Sequence, residues 1–233
     1  MKKIFLILII TLATYAQEVY ATFNVVAYKS ANLAFNISGI VKDINADIGS
    51  KVKKGDLLAT LKSDDAKANV DLAKVTLKFA KKDLQRAKKA GSALDRAKYD
   101  AFLYKYEVAL AKLNYLKAIY KKSFLRAPFD GVITAKLIEV GDGISAMPPK
   151  VAFKIESLNR RKLILEFDQK YYSKVKKGDK FIYSFDGEDK TYEGTISKIY
   201  PSIDKKSAKA RAEVETLNIP SGLFGTGTIK VGN

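Results

Sequence analysis

Cysteine and histidine are both missing from this chain, and the two absences remove most of the chemistry from which a site can be built. Without cysteine there is no disulfide, no thiol nucleophile and no lipid-modified cysteine of the kind that anchors bacterial lipoproteins. Without histidine, Ser-His-Asp and Cys-His nucleophiles fall away. With methionine only at Met1 and Met147, so do zinc or copper sites built from His, Cys or Met. Carboxylates remain, at Asp64-Asp65, at Asp142, and at Asp186 with Glu188-Asp189. Each has a plainer role. Asp64 and Asp65 open a helix, where acids complement the N-terminal dipole, and Asp186-Gly187-Glu188-Asp189 reads as a hairpin turn. No constellation converges, so the chain reads as non-catalytic, with no cofactor and no metal site.

Long apolar runs are equally scarce. The exception is the start, where Met1-Lys2-Lys3 leads into Ile4 to Ile10 and Leu12 and then Thr14-Tyr15-Ala16. Residues 1–16 read as a secretory signal peptide cleaved after Ala16. The alternative is a retained anchor, but Ile4 to Ala13 falls well short of the roughly 20 residues of a spanning helix. The expected location is outside the cytoplasm. Acid is the scarce sign of charge: 42 basic residues stand against 25 acidic ones, a formal +17. Loss of Lys2 and Lys3 leaves 40 against 25, or +15. Such a balance suits an acidic partner or an anionic membrane surface. The lysines run through every segment instead of interleaving with aromatics in one patch, which argues against nucleic acid.

What is present is a repeat. Ser38-Gly39-Ile40-Val41 reaches Gly49-Ser50 ten residues after its glycine and closes on Leu57 to Ser63. Asp130-Gly131-Val132-Ile133 reaches Gly141-Asp142 at the same spacing and closes on Val151 to Ser157. Both read as strand, glycine turn, strand. Neither copy can bury an apolar face alone, so the two are expected to close on each other as one split β-sandwich over 37–62 and 124–156, with 17–36 as a separate N-terminal strand segment.

The interruption, 63–123, carries heptads. Ala66, Val70, Ala73, Leu77, Ala80, Leu84 and Ala87 alternate spacings of four and three; after Gly91-Ser92 the pattern resumes as Leu94, Ala97, Ala101, Tyr104, Val108, Ala111, Tyr115 and Ala118. Two such helices make an antiparallel coiled-coil hairpin reaching roughly 40 Å. Helix two bears another stripe, Phe102, Tyr106, Ala109, Leu113, Leu116 and Tyr120. Because one partner helix cannot cover both stripes, this second one is expected to pack against a neighbouring copy or a helical partner. Leu72, Val75 and Phe79 form a smaller stripe on helix one, and unequal flanks suit head-to-tail contacts in a ring.

Residues 157–233 alternate strands and turns: Lys162 to Phe167, a helix-compatible Gln169 to Lys174, Phe181 to Phe185, Thr191 to Pro201, Lys209 to Glu215 and Gly222 to Val231. They are expected to form a small antiparallel β-barrel. Val-Lys-Lys-Gly-Asp occurs at Val52 and again at Val175, as one turn chemistry used twice. The fold class is therefore mostly β, elongated, with an inserted helical hairpin.

Phe35 to Val41, Gly49 to Ala59 and Leu125-Arg126-Ala127-Pro128-Phe129-Asp130-Gly131-Val132-Ile133, in this order around a coiled coil, resemble the periplasmic adaptor or membrane fusion protein family. These are adaptors of tripartite efflux pumps of the resistance-nodulation-division type, related to hemolysin-D-type secretion adaptors. The resemblance implies a lipoyl-like sandwich, an inner-membrane efflux transporter and an outer-membrane channel as partners, a ring-like homo-oligomer, and peripheral contact with the inner membrane. In lipoyl carriers a lysine on the hairpin between the two halves bears the cofactor; here the coiled coil replaces that hairpin, so neither Lys62 nor Lys67 stands on the required β-turn. Family adaptors touch the channel through an arginine, a leucine and a serine at the hairpin tip. Arg86 matches the arginine, Ala90 stands near the leucine position and Asp95 near the serine, so the expected tip contact is Arg86, Gly91, Ser92, Leu94 and Asp95. The competing reading is a periplasmic substrate-binding or accessory protein without a channel partner.

Overall fold

The computed structural model describes residues 17–232, so the signal peptide read over 1–16 lies outside the described residues. In chain order, β1 (Gln17–Ala27) precedes β2 (Ser30–Ala34), β3 (Gly39–Ile44), the two-residue β4 (Lys51–Val52) and β5 (Leu57–Leu61). The helices α1 (Asp64–Ala90) and α2 (Arg96–Lys121) come next, then β6 (Phe124–Arg126), β7 (Gly131–Lys136), β8 (Gly143–Ile144) and β9 (Val151–Ser157). Last are β10 (Arg160–Asp168), β11 (Lys180–Phe185), β12 (Tyr192–Ile199), β13 (Lys209–Leu217) and β14 (Phe224–Val231). These divide into two compact units, one taking the chain up to Lys29 and from Ser157 onward, the other Ser30–Glu156.

In the second unit the sheets run β2-β9-β7-β4 and β6-β5-β3-β8. The two repeats exchange their short strands. Lys51 and Val52 pair with Val132 and Gly131, while Gly143 and Ile144 pair with Ile40 and Gly39. Backbone bonds follow the same exchange: Gly49 N–H donates to Ile133 at 2.8 Å and Gly141 N–H to Val41 at 2.9 Å. Gly49 and Gly141 hold φ at 83° and 95°, the left-handed region in which a Cβ is costly. Leu58, Leu61, Ile133, Phe153 and Ile155 then meet in one core with Phe35. Strands β5 and β6 pair, Thr60 opposite Phe124, so the chain leaves for the helices and returns from them at one place.

The first unit is a closed barrel, β1-β10-β13-β12-β11-β14. Here the N-terminal segment differs from its reading as a separate piece: β1 pairs with β14 from Gln17↔Val231 to Asn24↔Phe224, and with β10 on its other side. From Ser30 onward the segment joins the sandwich, Ser30–Ala34 pairing with β9 and Phe35 entering its core. The reason lies in period-two burial. Val19, Ala21, Phe23 and Val25 are buried, and Phe23 meets Phe181, Tyr183 and Phe185 edge-on, with centroids 5.8, 5.3 and 5.5 Å apart. Without β1, strands β10 and β14 would be open edges. Gln169 to Lys174 holds only a 3₁₀ turn, Gln169–Tyr171, capped by the Asp168 carboxylate, which accepts from Lys170 N–H at 2.9 Å. The two Val-Lys-Lys-Gly-Asp turns are alike: Asp56 accepts from Lys53 N–H at 2.8 Å, and Asp179 from Lys176 N–H at 2.7 Å.

Candidate docking hairpin

Helix α1 presents the seam that its spacing predicts. Val70, Ala73, Leu84 and Ala87 are buried, and Leu77 packs against the cluster of Val70, Ala73 and Leu113.

The expectation for α2 is corrected. Leu113, taken as part of an outward stripe, is only 5% exposed and packs on Val70 and Ala73, with Leu116 and Tyr120 beside it. Ala109 is buried in the same row, and Phe102 and Tyr106 are half-buried. The stripe read as the seam faces outward instead: Tyr104, Val108 and Tyr115 are all exposed. The physical reason is area. Four members of the outer stripe are alanines, which bury little, whereas the inner stripe brings Leu113, Leu116 and Tyr120 against α1. Leu113, Leu116 and Tyr120 thus pack inside the hairpin, while Phe102 and Tyr106 are half-buried along the same stripe. The free apolar surface comprises Tyr104, Val108 and Tyr115 together with Leu72, Val75 and Phe79 of α1.

Successive helical residues turn by about 100°, which places Leu72 and Phe79 on the same side of the hairpin as Val108 and Tyr115. A groove on that side is lined by Asn69, Leu72, Thr76, Lys112 and Leu116. The opposite side is lined by Lys74, Lys78, Lys81, Lys82 and Gln85 around Leu77 and Leu113.

At the tip, the five residues expected to make contact come together only in part. Gly91, Ser92, Leu94 and Asp95 belong to the connection, in which Gly91–Ala93 forms a 3₁₀ turn, while Arg86 sits more than a turn lower on α1, its guanidinium on Asp83. Gly91 closes α1 with φ of 51°, its N–H donating to Lys88. Leu94 is half-buried. Asp95 caps α2, its carboxylate accepting from Ala97 N–H at 2.8 Å.

The candidate carboxylates Asp64, Asp65, Asp142 and Asp186 keep to a helix start and to turns. Asp64 and Asp65 stand in the first turn of α1. Asp142 lies in a turn, accepting from Glu139 N–H and Lys150 Nζ at 3.2 Å each; these two bonds, the backbone one foremost, hold its carboxyl below the usual range. Among the described residues no group of three acidic side chains is placed to hold a metal, and no helix is long and apolar enough to cross a membrane.

Residues 29–155, both halves of the sandwich with the hairpin between them, match the CzcB-like, barrel-sandwich hybrid domain family. The cobalt-zinc-cadmium resistance protein CzcB of Cupriavidus metallidurans is 25% identical over 207 residues, 82% of this chain and 39% of that protein. An uncharacterized protein of Haemophilus influenzae is 25% identical over 182 residues, 77% of this chain and 47% of that protein. The chain thus spans less than half the length of these curated relatives. Among solved structures, a MacA-MexA chimeric protein containing the Pseudomonas aeruginosa MexA α-hairpin domain has a TM-score of 0.87 at 20% identity, over 93% of this chain and 82% of that one.

Proposed function

Since this chain belongs to the CzcB-like barrel-sandwich hybrid family of membrane fusion proteins, we propose that it is a periplasmic adaptor bridging an inner-membrane efflux transporter to an outer-membrane channel. The observation that carries the reading is the family match across both halves of the sandwich and the hairpin inserted between them. A 27-residue α1 sets the tip about 40 Å from that sandwich.

The adaptor works by assembly and not by catalysis. The channel contact is Arg86, Gly91, Ser92, Leu94 and Asp95. Copies assemble in a ring, and the exposed Leu72, Val75, Phe79, Tyr104, Val108 and Tyr115 supply apolar area for contact between hairpins. Each contact is weak, but once one copy is held the others become intramolecular, so avidity supplies the strength. The excess of basic residues orients the chain on anionic lipid or acidic transporter loops.

In-cell cysteine crosslinking from Leu94 or Asp95 tests this, since the chain has no other cysteine. Capture of an outer-membrane channel is the expected result. Capture of identical copies alone would leave the ring and remove the tip contact; a survey of tip positions that captured nothing would favour a soluble binding role.

A further inference from the structure

The free apolar stripe belongs to the assembly just described, but the other side of the hairpin has a different chemistry. There Lys74, Lys78, Lys81, Lys82 and Gln85 line a groove of about 460 Å³ whose apolar floor is Leu77 and Leu113. We propose that this groove docks an acidic amphipathic helix of a partner protein.

Charge supplies the first reason. Lys74, Lys78 and Lys82 follow one another at i,i+4, with Lys81 beside them, an arrangement that destabilises an isolated helix when no acid intervenes. Asp71 holds Lys74 at 2.7 Å, and Asp83 is taken by Arg86. Among the described residues no ion pair engages Lys78, Lys81 or Lys82. An acidic partner relieves this repulsion.

Shape supplies the second. From Lys74 to Gln85 the groove follows three turns of α1, about 16 Å. That length fits a three-turn helix, whose leucine-type side chains would rest on the half-buried Leu77 and on the methylene stems of the lysines, above Leu113, while acids at i,i+3 and i,i+4 meet the lysine heads. A flat anionic surface would leave the apolar floor unused.

A second copy of the hairpin is a poor occupant. Between Asp64 and Lys121 the chain has 14 Lys and Arg against 7 Asp and Glu, so a copy would bring more positive charge to the lysines. The opposite groove, which includes Lys112 alone of the lysines, confines the dense cationic row to one side.

The test uses the full mature chain and a fluorescein-labelled synthetic helix with leucine at spacings of three and four and glutamate between. Anisotropy at low ionic strength should show saturable binding, weakened about tenfold by Lys78→Glu with Lys81→Glu and about threefold by Lys78→Gln with Lys81→Gln. Lys105→Glu with Lys112→Glu, the same change in net charge on other faces, should leave affinity within about twofold. A peptide with glutamine for glutamate should bind at least about tenfold more weakly. Circular dichroism verifies that each variant is folded. The proposal is overturned if both charge reversals weaken binding equally, if the glutamine peptide binds as well, or if no binding saturates. It is also overturned if phosphatidylglycerol vesicles displace the peptide and show the same loss with Lys78→Glu and Lys81→Glu, because lipid would then be the ligand.

Discussion

Replacing Leu113 and Tyr115 by alanine, one at a time, decides which face of α2 is the seam. Leu113 is 5% exposed against Val70 and Ala73, whereas Tyr115 is 60% exposed. A leucine truncated in a core costs about 2–5 kcal/mol. A two-helix seam is open to solvent along both flanks and can close over a gap, so Leu113→Ala should sit near the bottom of that range, about 2 kcal/mol. Tyr115 has only an exposed contact, with Lys112 Nζ 5.6 Å from its ring centroid, worth about 0.5–1 kcal/mol. The gain in helix propensity on going to alanine, about 0.5 kcal/mol, offsets most of it. Thermal melting followed by far-UV circular dichroism should therefore show a fall of about 8 °C for Leu113→Ala and a shift within about 2 °C for Tyr115→Ala. A fall for Tyr115→Ala equal to or larger than that for Leu113→Ala would refute the seam and return Leu113 to the outside of the hairpin.

The two repeat glycines should behave unequally. A Cβ on Gly131 would lie 2.3 Å from the Glu156 carbonyl oxygen, whereas one on Gly39 would meet only a Leu61 methyl at 3.2 Å. Gly131→Ala is expected to cost more than about 3 kcal/mol and Gly39→Ala under about 1 kcal/mol by denaturant unfolding, and similar losses would show the pseudo-symmetry to be closer than drawn. At the tip, Asp95→Ala should lower hairpin stability by about 1 kcal/mol while Asp95→Asn leaves it unchanged, because asparagine caps equally well; equal losses in a thermal melt would mean that the carboxylate charge, not the cap, holds α2.

Much of this architecture was readable from residue spacing. Glycines ten residues apart in two places, each followed by an apolar strand, are enough to imply two half-domains that need each other, because neither has an apolar face it can cover alone. The heptads of α1 named its buried row, since they run the length of the helix while its other stripe is only Leu72, Val75 and Phe79. Alternation at Val19, Ala21, Phe23 and Val25 marks a strand in the same local way, yet which sheet it completes depends on the open edges of β10 and β14, over a hundred residues away. For α2, two stripes displaced by one position satisfy the same periodicity. The choice between them falls to the partner helix, where burying Leu113 and Leu116 on Val70, Ala73 and Leu77 outweighs burying alanines. Spacing therefore determined which residues share a face; only packing decided which face turns inward, and with it which tyrosines and lysines are left for partners.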